Sequence, residues 1–254
     1  MEVLETIKNR RTIRNYKTTP LEEEILDSIL AAGMAAPSWG NTQTWRWVVI
    51  KDQNIKKDIA ENVVRAGNGG VNAVKRAPVV IAVCAELNKA GFRDGKPATD
   101  KGGYWYMFDA GLSLENMVLA AESHGLGSLF IGGMNSKKLR SLLGVPKEYI
   151  CVILMVIGYP DEKPEARPRK EIDEIVFKDK FGAKRKCHRL YTGALLAMRS
   201  KAATVIQYLS KLPENRKETI RTVREVILKN LPEGYEEVMN WGDDYLTGSS
   251  VHIS

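Results

Sequence analysis

Histidine and cysteine are scarce in this chain, three of each in 254 residues. No His-x-x-x-His or Cys-x-x-Cys pair occurs, so a zinc enzyme or a Cys/His nucleophile has little to be built from, and no metal site is expected. Cys84, Cys151 and Cys187 are far apart, and the first two sit inside apolar, strand-like runs. They read as small core residues, not as a disulfide framework. No apolar run reaches the roughly 18 residues that a membrane-spanning helix requires. The start, Met1-Glu2-Val3-Leu4-Glu5, is acidic where a signal peptide is basic, so a cytoplasmic protein with no membrane partner is expected.

Uncompensated charge is also in short supply over most of the chain. The net charge is +7, but residues 183–254 hold 12 Lys/Arg against 8 Asp/Glu, leaving 26 against 23 for the first 182 residues. That excess is no nucleic-acid footprint, although a surplus near a pocket suits an anionic nicotinamide cofactor. A chain of this length buries a full core and accommodates one or two domains.

What is present begins with Arg10-Arg11-Thr12-Ile13-Arg14. Three guanidinium forks and a hydroxyl within five residues form a compact anion-binding element, suited to a phosphate, and the plain alternative is a solvated basic face. Some 25 residues on, roughly, small polar side chains in Ala36-Pro37-Ser38-Trp39-Gly40-Asn41-Thr42-Gln43-Thr44 lead into an apolar strand, expected over Trp47–Lys51.

Helices are expected over Leu4–Asn9, from Thr19 as N-cap with Pro20 at the first helical position to about Gly33, and over Asn54–Ala66. Gly67-Asn68-Gly69-Gly70 has neither a following Lys-Ser/Thr nor a strand before it, so it reads as a mobile connector and not as a phosphate loop. Pro78–Ala85 and Ile150–Tyr159 are continuous, β-branched runs, as in strands buried on both faces. Between Asn88 and Gly103 the chain is polar and glycine-rich, a lid or pocket rim. Tyr104 and Trp105 then either stack on a planar substrate or anchor the next helix, which is expected from Met107 to His124 with Gly125 as its left-handed cap. Ser128 to Gly133 is an extended apolar piece ending in two residues that let backbone approach a ligand, and Ser136 is expected to cap a helix through Leu143.

Three of these segments, R-R-T-x-R at Arg10–Arg14, A-P-S-x-x-N-x-Q-x-W at Ala36–Trp45 and Ile131-Gly132-Gly133, together resemble the FMN-dependent nitroreductase family over residues 1–182. The resemblance implies an α+β fold with a central, mostly antiparallel sheet flanked by helices, and a homodimer with interfacial FMN. It implies NADH or NADPH as hydride donor and ping-pong reduction of nitroaromatics, quinones or similar small acceptors. The cofactor would then carry the chemistry, with no catalytic side chain of its own on the protein. The cofactor-binding set it implies is Arg10, Arg11, Thr12, Arg14, Pro37, Ser38, Asn41, Gln43, Ile131, Gly132, Gly133, Arg167 and Arg169, with Trp39, Tyr104 and Trp105 lining the substrate pocket. Ser38, Asn41 and Gln43 would reach FMN across the dimer interface, and Arg167 and Arg169 would close on its phosphate. Alternatives on the same scaffold are a reductive dehalogenase, a flavin-fragmenting enzyme or a non-enzymatic FMN store.

Beyond Gly182 the character changes. Residues 183–197 read as a linker, and residues 198–254 as an incomplete helical module. Y-L-x-x-L-P and Met239-Asn240-Trp241-Gly242 resemble the start of a frataxin-like domain family whose sheet has no room to follow here. The expectation is a neighbouring reading frame beginning at Met198 and joined through translated spacer.

Overall fold

A computed structural model describes residues 3–183 and, beyond them, Glu218, Thr222, Glu225, Lys229, Glu236–Glu237 and Ser250–Val251. The chain divides into two units, Met1–Pro168 and Arg169–Ser254. The first opens with helix α1 (Val3–Asn9) and helix α2 (Glu23–Met34), followed by strand β1 (Trp45–Ile50). Helix α3 (Gln53–Asp58) runs into a π turn over Ile59–Val63, and helix α4 (Gly70–Arg76) leads to strand β2 (Val79–Glu86). A two-residue hairpin, β3 (Phe92–Arg93) and β4 (Lys96–Pro97), precedes the long helix α5 (Trp105–Ser123). Strand β5 (Gly127–Ile131), helix α6 (Ser136–Leu142) and strand β6 (Tyr149–Gly158) complete the unit.

The four long strands form one fully antiparallel sheet in the order β1-β2-β6-β5. The central pair is β2 and β6, which is why both read as unbroken apolar runs: each is covered on two faces. One face packs on Ile59, Val63, Val74 and Leu139 from the α3–α4 and α6 side. The other packs on Ile29 of α2 and Leu114, Met117 and Val118 of α5. Within the sheet Cys84 and Cys151 stand opposite each other, their sulfurs 3.6 Å apart, both as free thiols.

Several boundaries depart from the sequence expectation. Helix α2 starts at Glu23, not after Thr19, because Leu21 is drawn into the core while the chain is still extended at Glu22. The helix expected over Asn54–Ala66 stops at Val63, where Val64 turns extended to bridge Met134. The connector Gly67–Gly70 opens into α4, which periodicity over so few residues did not reveal. Asn135, not Ser136, caps α6, its Oδ1 accepting the Lys138 N–H at 3.0 Å, while Ser136 donates to the Cys151 carbonyl. The end of α5 is as expected. Gly125 at φ 72° lets its own N–H reach Glu122 O and the Leu126 N–H reach Ala121 O, closing the helix at His124.

In the second unit the described residues form a short helix α7 (Ile172–Ile175), a contact between the Phe177 and Phe181 rings, and a parallel pairing of β7 (Glu236–Glu237) with β8 (Ser250–Val251). The expected linker and the frataxin-like helices lie almost wholly outside the described residues. Among the described residues no helix is long and apolar enough to cross a membrane.

Candidate functional site

The arginine segment lies along the free edge of β5. Ile13 N–H donates to Ser128 O at 3.0 Å, Thr12 bridges Ser128 in parallel, and Gly127 is where Ile13 presses so closely that a Cβ there would collide with its Cγ1. Ile13 and Tyr16 point into the core, leaving Thr12 half-buried and Arg14 exposed. The three arginines then part company. Arg11 turns back on α1, its Nη1 donating to the carbonyls of Lys8, Asn9 and Arg10 at 2.7–3.0 Å, so part of its donor capacity closes a helix end. The guanidinium groups of Arg10 and Arg14 make no hydrogen bond or ion pair with any described residue. Arg14 is exposed and available to an anion, whereas Arg10 lies within reach of Glu122, where its charge opposes the rise that burial imposes on that carboxyl.

Arg14 rests against the glycine loop, with its Cδ 3.5 Å from where a Gly69 Cβ would stand. Asn68 Oδ1 accepts the Gly70 N–H at 2.8 Å, fixing the loop, and Asn68 Nδ2 lies 2.8 Å from the Cβ position of Gly133. Ile131 packs against Gly70 just as closely, so both glycines are required by contact. On its other side Gly133 accepts the Arg65 N–H at 2.8 Å, while Gly132 is exposed with open space around its Cα. Arg14, Gly67–Gly70 and Ile131–Gly133 are thereby brought to one rim. A groove of about 690 Å³ adjoins it, lined by Asn62, Arg65, Gly132, Gly133, Asn135 and Lys137 among others. The π turn Ile59–Val63 borders the same groove, a distortion that frequently marks functional ground.

Sequence reading discounted Gly67–Gly70 and passed over Glu162. Glu162 accepts from the N–H groups of Arg14 and Asn15 and from Asn15 Nδ2, tying the start of the extension after β6 to the arginine segment. Burial alone would push its carboxyl up. The Arg14 N–H, the two Asn15 donors and the Arg14 charge outweigh that and hold it below the usual carboxylate range. A depressed folded-state pKa contributes stability that is present above the unfolded value of about 4.3 and lost as pH falls through the folded one. Glu162→Gln is therefore expected to flatten the acid limb of the melting-temperature curve below about pH 4.3, checked by thermal melts of both proteins from neutral to acid pH. A variant whose acid limb matches that of the parent overturns the assignment.

The second half of the expected site lies elsewhere. Pro37–Gln43 precedes β1, at the opposite edge of the sheet from β5. Its polar groups are knitted together: the Gln43 N–H donates to Ser38 Oγ and Gln43 Nε2 to Asn41 Oδ1, both at 3.0 Å, and Thr42 Oγ1 donates to Trp39 O. Pro37, Asn41 and Gln43 are exposed, Ser38 and Trp39 half-buried. Tyr104 and Trp105 separate in role. Tyr104 is exposed, whereas Trp105 donates from Nε1 to Thr99 Oγ1 at 2.7 Å and packs on Gly91 and edge-on to Phe108, pinning the hairpin region to α5. Arg167 falls at the end of the first unit and Arg169 at the start of the second. No cluster of three or more metal-ligating side chains occurs among the described residues.

An FMN reductase [NAD(P)H] of Bacillus subtilis is 33% identical over 178 residues, covering 66% of this chain and 70% of that protein. An NADPH-dependent oxidoreductase of Staphylococcus aureus is 25% identical over 241 residues, covering 90% of this chain and 91% of that one. The crystal structure of a nitroreductase family protein from Clostridium novyi NT superposes with a TM-score of 0.57 at 29% identity, covering 72% of this chain and 97% of that one. The family model for the nitroreductase family matches residues 7–159, which run from the end of α1 through β6. The chain belongs to the nitroreductase family.

Proposed function

We propose that this protein is an FMN-dependent oxidoreductase that takes a hydride equivalent from NADH or NADPH and passes electrons to a small acceptor, a nitroaromatic, a quinone or a similar compound. One observation carries the reading. The exposed Arg14 guanidinium, the glycine loop it rests on and the exposed Gly132 backbone share a rim at which the described residues set out no acid, base and nucleophile together. A flavin, when bound, supplies the redox chemistry that the side chains do not.

The residues present fit such a group. Arg10 and Arg14 offer charge-assisted donors to a phosphate, with Thr12 as a neutral one. The Arg14 stem lies in van der Waals reach of Gly69, and Gly132, with no neighbour within 4 Å of a Cβ position, lets backbone approach a planar ring. Ser38, Asn41 and Gln43 cannot join them within one protomer. β1 and β5 are opposite edges of a four-stranded sheet, roughly 14 Å apart at the strand spacing. A second copy of the chain supplies them in this reading, and the site is completed at a homodimer interface. The exposed apolar residues Tyr104, Met107 and Phe108 near the start of α5 provide a surface for that contact.

The test is optical. The purified chain, loaded with FMN and mixed anaerobically with NADPH or NADH, should lose its oxidised-flavin absorption within seconds and regain it on adding a quinone. A protein that binds FMN but leaves it oxidised is a flavin carrier and not this enzyme.

A further inference from the structure

The loop Trp39–Gln43 holds an unfavourable backbone. Gly40 at φ 53°, Asn41 at φ 55° and Gln43 at φ 44° put three of four consecutive residues in the left-handed region, two of them without the freedom of glycine. Such a shape persists only where surrounding structure enforces it. The loop's side-chain bonds run within itself or to Arg46 just beyond, so they stiffen it without fixing where it sits.

The bond to a distant element is different. Trp39 N–H donates at 2.9 Å to Oδ1 of Asp109, which lies 70 residues away on α5 and is fully buried. Helix α5 is a rigid support. Its Ser113 Oγ and Asn116 Nδ2 also donate to the carbonyls of Gly33 and Ala32, holding the end of α2 from which the loop departs. Asp109 Oδ2 has no hydrogen-bond partner among the described residues. A buried carboxylate with one lone bond is expensive to keep, and burial pushes the Asp109 carboxyl up despite the Trp39 N–H. Core packing does not account for it, since Ala110, Leu114 and Met117 fill that side of the helix.

We infer that Asp109 is a positioning residue of the flavin site: by accepting the Trp39 N–H it fixes the left-handed loop in the shape that presents Ser38, Asn41 and Gln43 to FMN. The inference rests on the flavin reading above and adds a residue on a buried helix face, remote in sequence from every segment that contacts the cofactor in that reading. Its action is through one acceptor oxygen, so an amide is equivalent to the acid in this role.

The experiment titrates the full-length apo-protein with FMN, following quenching of flavin fluorescence, alongside a thermal melt of each apo-protein. Asp109→Leu is expected to weaken FMN binding on the order of 10- to 100-fold, as for loss of one buried bond to a charged group, and Asp109→Asn to restore it to within about threefold. Trp39→Pro removes the same bond from the donor side while leaving α5 untouched. It should weaken FMN as Asp109→Leu does, whereas Trp39→Ala, which keeps the N–H, should weaken it less. In the double variant Asp109→Leu/Trp39→Pro the loss should not exceed that of either single change, because both delete one interaction. Should Asp109→Leu fail to fold, the Pro and Ala pair at Trp39 carries the test. Asp109→Leu with parental FMN affinity, or Trp39→Pro no weaker than Trp39→Ala, overturns the inference while leaving the flavin reading intact. A parent chain that takes up no FMN overturns both.

Discussion

Arg14→Glu is expected to yield a folded protein that retains no flavin through gel filtration. The position separates binding from folding unusually well. Arg14 is exposed, its guanidinium bonds to no described residue, and what the fold takes from it is chiefly its backbone N–H, which Glu162 holds, with a smaller contribution from its charge beside that carboxylate. Loss of a charge-assisted phosphate contact costs about 1.5–3 kcal/mol, which is about 10- to 150-fold in affinity, and the reversed charge adds repulsion to the loss. More than about a thousandfold overall is expected, against about tenfold for Arg14→Gln. Arg11→Gln makes the contrast. Because its Nη1 closes α1, the larger effect there falls on melting temperature and the smaller on FMN. FMN per protomer after filtration, with the melt of each apo-protein, decides the matter. A filtered Arg14→Glu protein still carrying one FMN per protomer removes Arg14 from the site.

The parts of this fold that could be read from sequence are those where one local signal sufficed. β2 and β6 announce themselves because burial on both faces demands uninterrupted β-branched residues, and α5 because its apolar character runs past three turns to a glycine cap. The arginine segment and Gly132-Gly133 were also visible as chemistry, since several donors or two glycines in a row have few other uses. What escaped depended on contacts between distant segments. Gly67–Gly70 lacks every local mark of a phosphate loop and gains meaning only because Ile13 docks on β5 and so lays Arg14 across Gly69.

Asp109 escaped for a related reason. One acid within Met107-Phe108-Asp109-Ala110-Gly111-Leu112 is an anomaly in an apolar helix, and that anomaly was the available signal, but its partner is a backbone N–H that no pattern records. Arg11 adds a role that side-chain chemistry alone does not reveal, since its Nη1 also closes the end of α1. Cys84 and Cys151 were correctly read as core residues. Their meeting, however, is set by strand register across a bulge, which the spacing of two cysteines does not encode.

Replacing Met107 and Phe108 together by Asp should give a monomer that no longer holds FMN, the second large effect expected here. The residues Tyr104, Met107, Phe108 and Gly111 fall at i, i+3, i+4 and i+7 and are all exposed, while Asp109, Ala110, Ser113, Leu114 and Met117 fill the opposite side. The start of helix α5 is thus apolar on both faces, and the core explains only one of them. Met107 and Phe108 are 49% and 57% exposed, so burying what remains of each against a second copy contributes about half of the roughly 1.5–3 kcal/mol of a full burial. Two-fold symmetry counts every contact twice, so about 3–6 kcal/mol of association rests on these side chains. Two carboxylates per chain at that surface replace the gain with desolvation and like-charge repulsion. The rim formed by Arg14, Gly69 and Gly132 remains whole in each monomer, yet Ser38, Asn41 and Gln43 then have no second rim to meet. Sedimentation with absorption at flavin wavelengths reads both properties at once. A double variant that still sediments as a dimer moves the interface off this face, and a monomer that binds FMN as the parent does would mean that one chain holds the whole site.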